Sequence, residues 1–179
     1  MNFKKNIIIS IISIFGLGFL AHNMYEWFPN KFTSIFFPVN ESIYEHQKMI
    51  FTSIMFYGII EYFLLRKTKY NNLPLALVTS ALVTMALVVS IFTPVYYLLD
   101  KKDNLFVTLG IYLFAIIMGQ IVSYYILKNK TNYKKLNIVS LISIPVIFTI
   151  LAILTYYPPK NELFYDKTEQ KYGIYTYYD

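Results

Sequence analysis

Five long apolar stretches, separated by short polar segments, divide the sequence. A bilayer core about 30 Å thick is crossed by about 20 helical residues, and each stretch meets or approaches that length. The pattern therefore predicts an all-α, polytopic transmembrane bundle of about five helices. The predicted spans are 6–26, 47–65, 73–99, 105–127 and 137–156 within a membrane domain covering 1–156, and residues 157–179 are expected to form an extracytoplasmic aromatic-rich tail.

The first apolar stretch also has a feature of secretory signal peptides, because Lys4 and Lys5 precede it. A signal peptidase needs small side chains before its cleavage site, whereas Phe19 and Leu20 lie directly before Ala21. We therefore expect the first helix to be retained in the membrane.

Two segments outside the predicted spans carry a pattern of their own. Segment 28–39 is too short to cross a bilayer and too apolar for an ordinary solvated loop. It is predicted to lie in the interface or to re-enter the membrane, where protein or water must cover its irregular backbone. If it re-enters, it would form a lip over His22 and His46. The tail has aromatic runs around a polar turn, a weak hairpin pattern that predicts either a small cap or an interfacial tail.

The composition agrees with a membrane protein, since 56% of residues are apolar and 19% are aromatic. Cysteine is absent, which excludes disulfides, thiolate metal sites and cysteine nucleophiles. The net charge of +6 comes largely from short basic clusters between apolar stretches. Orientation in a membrane explains such clusters better than nucleic-acid binding does, so the lipid bilayer is the expected partner and no nucleic acid is expected.

The distribution of charge predicts which way the chain crosses the membrane. One side would carry basic residues without any Asp or Glu, and the other would carry every acidic residue except Glu61. By the positive-inside rule, the N-terminus is cytoplasmic and the C-terminus extracytoplasmic in a multi-pass cell-membrane protein. The basic residues on the predicted inner side are Lys4, Lys5, Arg66, Lys67, Lys69, Lys128, Lys130, Lys134 and Lys135.

Both histidines of the chain fall at the predicted outer face. His22 and Glu26 are spaced i,i+4 and would share one side of the first helix, and Glu41 and Glu45 repeat that spacing beside His46. Imidazole and carboxylate are the ligands that zinc accepts where thiolate is absent, and a catalytic zinc needs three of them and an open position. The predicted ligands of Zn²⁺ or another divalent metal are His22, His46 and a glutamate, with Glu45 as the candidate.

The same groups also allow two interpretations without a metal. An imidazole and a partly buried carboxylate form an acid/base pair, so the catalytic set would be His22, Glu26, Glu41, Glu45 and His46. The structural alternative is that Ser42 and Glu45 form a capping box at a helix start, or that Glu45 pairs with Lys48 on the same helix.

Two more polar side chains lie inside predicted spans. Glu61 would neutralise itself, pair with Arg66 or Lys67, or mark an ion path. Gln120 is more typical of a hydrogen bond between helices than of a ligand.

Several motifs together resemble a known family. They are His22-Asn-Met-Tyr-Glu26-Trp27, Pro38-Val-Asn-Glu-Ser-Ile-Tyr-Glu-His46, Pro158-Pro159 with Leu163-Phe-Tyr-Asp166, and Tyr172-Gly-Ile. The pattern resembles an uncharacterised family of small bacterial integral membrane proteins marked by Pro-Val-Asn-Glu-Ser, an aromatic residue two positions later, and Glu-His. That family often has tryptophan before Glu-His, where this chain has Tyr44. The resemblance implies a bacterial membrane protein and supplies neither a reaction nor a catalytic residue.

These observations favour a membrane-embedded hydrolase or transferase that acts on a lipid or lipid-linked substrate at the outer leaflet. The alternatives are a transporter or binding protein for a small molecule or ion, and a non-enzymatic structural membrane protein. Transport would need a polar path between Glu45 and Glu61, and the intervening residues are mainly apolar. Nucleophile-elbow, His-Glu-x-x-His and paired intramembrane aspartate motifs are absent, and no pattern indicates the oligomeric state.

Overall fold

A computed structural model describes residues 3–66, 70–99, 104–174 and 176–177. All the described helices except the short α2 are long and apolar enough to cross a membrane, which confirms the predicted five-span bundle. The elements are α1 Phe3–Trp27, α2 Lys31–Phe36, α3 Ile43–Leu65, α4 Leu73–Leu98, α5 Leu105–Lys128, α6 Lys134–Tyr156, β1 Tyr165–Asp166, β2 Lys171–Tyr172 and β3 Thr176–Tyr177.

Helix α3 begins at Ile43, earlier than the predicted start at residue 47. Ser42 is its N-cap, and the Ser42 hydroxyl oxygen accepts a hydrogen bond from the Glu45 amide at 3.2 Å. An oxygen in this position satisfies one of the free amides of the first turn. The cap therefore extends α3 by a turn beyond the purely apolar stretch, and Glu41 is left in the loop before it.

Helices α1 and α3 pack antiparallel and carry a polar contact at each end. At one end the Asn6 amide nitrogen donates to Glu61 Oε1 at 3.2 Å. At the other end the ring centroids of His22 and His46 are 5.1 Å apart. We call the end with His22 and His46 the histidine end. We call the opposite end the basic end, because Arg66 and Lys128 lie at it.

Helices α4 and α5 form a close pair through small side chains. Gly119 on α5 lies so close to Ser80 and Thr84 on α4 that a Cβ atom would have no room. Next to it, the Gln120 amide nitrogen donates to the Ser80 hydroxyl at 2.9 Å. The hydrogen bond between helices that was predicted for Gln120 is confirmed.

The short helix α2 lies in the segment for which an interfacial or re-entrant position was predicted. It packs against α6, where the Ser34 hydroxyl lies 2.6 Å from the Tyr156 hydroxyl and Phe36 meets Phe148 edge to face at 4.9 Å. This packing places α2 beside α6, and no residue of 28–39 is among those that line the cleft containing His22 and His46, where a re-entrant segment was expected to form a lip.

After α6 the chain turns back and caps the histidine end. Strands β1, β2 and β3 form a small antiparallel sheet in that order, with Tyr165 opposite Tyr172. Gly173, with φ of 54°, adopts a left-handed conformation that suits glycine, and its carbonyl accepts a hydrogen bond from the Asn40 side chain at 2.9 Å. The predicted hairpin is confirmed, and we use this name for residues 161–174. The Asn40 hydrogen bond ties the hairpin to the loop that precedes α3.

Candidate metal and acid/base site

Three of the predicted site residues meet at the histidine end, and we call His22, Glu41 and His46 the triad. Glu41 Oε2 lies 3.4 Å from His22 Nε2 and 3.6 Å from His46 Nε2. One ligand atom from each residue can be chosen so that all three lie within 4.8 Å of one another. Ligands about 2.0–2.1 Å from a tetrahedral zinc are separated by roughly 3.3–3.5 Å, so the carboxylate is already placed at ligand distance from both rings.

His46 is oriented by the chain that precedes its own helix. Its Nδ1 lies 2.8 Å from the carbonyl oxygen of Ser42. Because a carbonyl only accepts hydrogen bonds, Nδ1 carries the proton, and Nε2 presents its lone pair to the triad. Metal-binding histidines are commonly held in this way by a backbone carbonyl on the second ring nitrogen.

Glu41 is oriented by the C-terminal hairpin. Its backbone amide donates to Asp166 Oδ2 at 3.0 Å, and Asp166 Oδ1 accepts from the amides of Thr168 and Glu169 at 2.7 and 3.1 Å. Asp166 is completely buried. The hairpin therefore fixes the loop from which the Glu41 carboxylate reaches the two imidazoles.

The imidazoles also set the charge of Glu41, which lies outside the membrane-spanning helices. The hydrogen bond with His22 lowers the pKa of Glu41 from the ordinary value of 4.5, partial burial opposes that effect, and the electrostatic interaction with the nearby His46 imidazole adds to the lowering. The carboxylate is therefore ionised at neutral pH, as a metal ligand or a general base requires.

The triad forms part of the wall of a cleft of about 1040 Å³. The cleft lies among α1, α3, α4, α5 and the hairpin, and most of its surface is apolar. On the side of α4, Tyr97 donates to Glu162 and Lys167 donates to Tyr96, with Lys167 Nζ lying 4.3 Å from the centre of the Tyr96 ring. These contacts join the hairpin to α4, so the hairpin lines the cleft together with α4. The apolar residues include Phe19, Met49, Ile50, Val88, Phe92 and Leu109.

Comparison with protein families assigns the chain to a family. The family model of DUF6512, a family of unknown function, matches residues 1–174. The chain belongs to DUF6512. This membership agrees with the resemblance to an uncharacterised family, and the match covers nearly the whole chain. The DUF6512 chain matches no curated protein and no solved structure, so its site must be interpreted from its own chemistry.

In this DUF6512 chain, Glu45 does not join the triad, although it was the expected third metal ligand. Its carboxylate is completely buried against Lys48, with Oε2 2.5 Å from Lys48 Nζ, and Oε1 accepts from the Thr155 hydroxyl at 2.7 Å. The expected shared face of Glu41 and Glu45 does not form, because α3 starts at Ile43 and Glu41 precedes it. The structural interpretation, a pair between Glu45 and Lys48, is the one confirmed.

Glu26, the other predicted catalytic carboxylate, is exposed on the last turn of α1 and lies outside the triad. The structure thus brings together His22, Glu41 and His46. Glu26 is not one of the three, although its charge acts on His22, and Glu45 pairs with Lys48.

Sequence reasoning missed the part that α4 plays in the site. Tyr96 and Tyr97 follow Pro94 near the end of an apolar helix, a position typical of membrane-interface aromatics. The sequence also did not reveal that Lys48 is fully buried. The one feature that could have indicated this is the position of Lys48 directly before an apolar run.

Proposed function

We propose that this protein is a hydrolase or transferase that depends on a divalent metal, most simply Zn²⁺, and acts on a lipid or lipid-linked substrate. The observation that carries the proposal is the triad itself: two imidazoles and a carboxylate with ligand atoms within 4.8 Å of one another, in the wall of a large apolar cleft. Two histidines and one glutamate are a known ligand set of catalytic zinc sites.

The chemistry follows from the number of protein ligands. His22, Glu41 and His46 would hold the metal through three positions and leave a fourth for water or a substrate oxygen. The metal would supply a water molecule whose pKa is lowered to about 7 and a positive charge beside the attacked group. This chemistry suits an ester or phosphoester, in which water or an acceptor alcohol adds across the bond that breaks and the head group leaves as an alcohol or a phosphate.

A lipid substrate is supported by the surface that surrounds the triad. The cleft is mostly apolar, and the neighbouring helices are of a kind that crosses a bilayer. An acyl or isoprenoid chain gains roughly 0.8 kcal/mol for each CH₂ group that leaves water, so such a cleft suits an amphiphile with its head group at the triad. The charge pattern favours entry from the outer leaflet of a bacterial cell membrane, with the N-terminus in the cytoplasm.

The alternative of transport receives less support from the core of α3. Between Glu45 and Glu61 the fully buried side chains include Ile50, Phe51 and Ile54. A polar route along this helix would have to cross that apolar layer, where an unsolvated ion is strongly disfavoured.

Metal analysis tests the proposal directly. Protein purified in mild detergent should contain close to one zinc per chain, and His22→Ala, Glu41→Gln and His46→Ala should each lower zinc affinity at least tenfold, because each removes a ligand. Glu169→Gln is the matched control, since it changes an exposed carboxylate that pairs with Lys171 outside the triad and should keep wild-type affinity.

Activity is then measured on phospholipids and lipid-linked phosphates in mixed micelles, by release of a water-soluble head group. A chelator should abolish release and added Zn²⁺ should restore it. Metal-free protein that keeps full activity in chelator would contradict the metal-dependent mechanism, and loss of that activity in His22→Ala would then indicate acid/base catalysis instead.

A further inference from the structure

A second buried polar contact lies at the basic end of the same helix pair that holds the triad. Asn6 on α1 and Glu61 on α3 are 4% and 2% exposed. The Asn6 amide nitrogen donates to Glu61 Oε1 at 3.2 Å. The two remaining oxygens, Asn6 Oδ1 and Glu61 Oε2, are both buried and have no hydrogen-bond partner among the residues that the structure describes.

The described residues offer Glu61 no ion pair; Lys67, one of the two partners expected from the sequence, lies outside them. Lys48, the buried lysine of α3, is bound by Glu45, and the guanidinium of Arg66 is exposed and lies 5.4 Å from the centre of the Phe63 ring. One turn before Glu61 on α3 is Tyr57, whose buried hydroxyl is neutral. Ser10, one turn after Asn6 on α1, is also neutral, and its hydroxyl donates to the Ile7 carbonyl at 2.7 Å.

Among the described residues, an ionised carboxylate in this position would be buried without a compensating charge. Such burial costs more than taking up a proton, so an isolated buried carboxyl group neutralises itself. The two oxygens without a partner, Glu61 Oε2 and Asn6 Oδ1, indicate where a proton on the Glu61 carboxyl group would lie. A proton on Glu61 Oε2 gives that oxygen a hydrogen to donate, and Asn6 Oδ1 is the buried acceptor that lacks one.

We propose that Asn6 and Glu61 form a proton-binding site, in which Glu61 is a neutral carboxylic acid paired with the Asn6 amide through two reciprocal hydrogen bonds. In one, Asn6 Nδ2 donates to Glu61 Oε1; in the other, Glu61 Oε2 donates to Asn6 Oδ1. Uptake transfers one proton from water at the basic end to Oε2 and removes one negative charge, and release reverses both changes. The site does not depend on the metal at the histidine end.

Infrared spectroscopy of the full-length protein in lipid vesicles tests this site. At neutral pH the wild type should show the C=O stretching band of a protonated carboxylic acid, shifted on exchange into D₂O. Glu61→Gln should lack the band and keep the wild-type melting temperature, because a glutamine at this position can form the same two hydrogen bonds. Glu169→Gln, which changes an exposed glutamate, is the matched control and should keep the band.

Asn6→Ala provides a second measurement that does not require the Glu61 variant to fold. Its carboxylic acid band should persist and move to higher frequency, because the hydrogen bond to Oδ1 is lost. Absence of the band from the wild type would overturn the proposal. So would a melting temperature that rises with Na⁺ in the wild type but not in Glu61→Gln, since the pair would then hold a metal cation in place of a proton.

Discussion

At the scale of single residues, Glu41 and Glu45 show how one turn of backbone separates two roles. Glu41 lies in the loop before α3 and meets two imidazoles, where it remains half exposed. Glu45 lies in the first turn of α3 and is buried against a lysine. Glu41 and Glu45 are four residues apart, but this spacing places two side chains on the same face only when both residues lie inside a helix.

The buried pair is expected to matter greatly for stability. Lys48 Nζ also donates to the Ser34 carbonyl and to the Thr155 hydroxyl, both at 2.8 Å, and Glu45 Oε2 accepts from the Val39 amide at 3.1 Å. The network joins α3 to α2 and α6. A completely satisfied buried network is stable, whereas removal of one charge leaves the other buried and unpaired.

We therefore expect Lys48→Met to destabilise the protein by about 3–5 kcal/mol, measured as the loss of thermal stability in detergent. Lys171→Met is the matched control, because its partner Glu169 is half exposed, and exposed pairs contribute only about 0–1 kcal/mol. The double variant Glu45→Leu with Lys48→Met should recover part of the loss. Equal stability of Lys48→Met and Lys171→Met would contradict the role given to the network.

At the scale of elements, the C-terminal hairpin connects parts of the chain that the helices alone would leave apart. It holds the Glu41 loop through Asp166, and Phe164 stacks on Tyr44 at 4.3 Å. The Tyr44 amide also donates to the Leu163 carbonyl at 2.9 Å. The hairpin is thus a positioning element for the triad, although it contributes no residue to it.

Asp166→Ala should consequently weaken zinc binding several-fold without removing a ligand, because the Glu41 loop loses its anchor. Asp166→Asn should be intermediate: its oxygen can still accept from Thr168 and Glu169, but its amide nitrogen cannot accept from Glu41. The measurement is zinc titration of metal-free protein, with circular dichroism to verify that the helices persist. Zinc affinity unchanged in Asp166→Ala would show that the Glu41 loop holds its position without the hairpin.

At the scale of the whole molecule, the histidine end and the basic end differ in chemistry. The first gathers the triad, the buried network and the hairpin, whereas the second has short connections and the Asn6–Glu61 contact. By the positive-inside rule the histidine end should face outwards. The absence of cysteine makes this testable, since one introduced cysteine is the only thiol in the chain.

Thr168→Cys and Thr131→Cys form a matched pair at opposite ends of the bundle. Both positions are exposed, and neither change alters the net charge. In intact cells a membrane-impermeant thiol reagent should label Thr168→Cys, and it should label Thr131→Cys only after permeabilisation. The reverse pattern would place the triad on the cytoplasmic side and contradict a substrate that enters from the outer leaflet.

The five helices follow from the sequence because a bilayer imposes a local rule. Each span must bury its own backbone hydrogen bonds in about 20 apolar residues, so length and hydropathy identify it without knowledge of its neighbours. The observed helices α4 and α5 accordingly lie within a residue of the predicted 73–99 and 105–127 at each end. The nearness of His22 and His46 could also be anticipated, since both fall at one predicted face.

The choice between Glu41 and Glu45 depended on tertiary structure. Glu45 is buried because Lys48 and Thr155 complete its hydrogen bonds, and Thr155 is 110 residues away on α6. Glu41 reaches the imidazoles because Asp166, 125 residues later, holds its backbone. Hydropathy is a property of each segment, whereas the partner of a polar side chain is set by contacts between distant segments, and those contacts decided which carboxylate joined the two histidines.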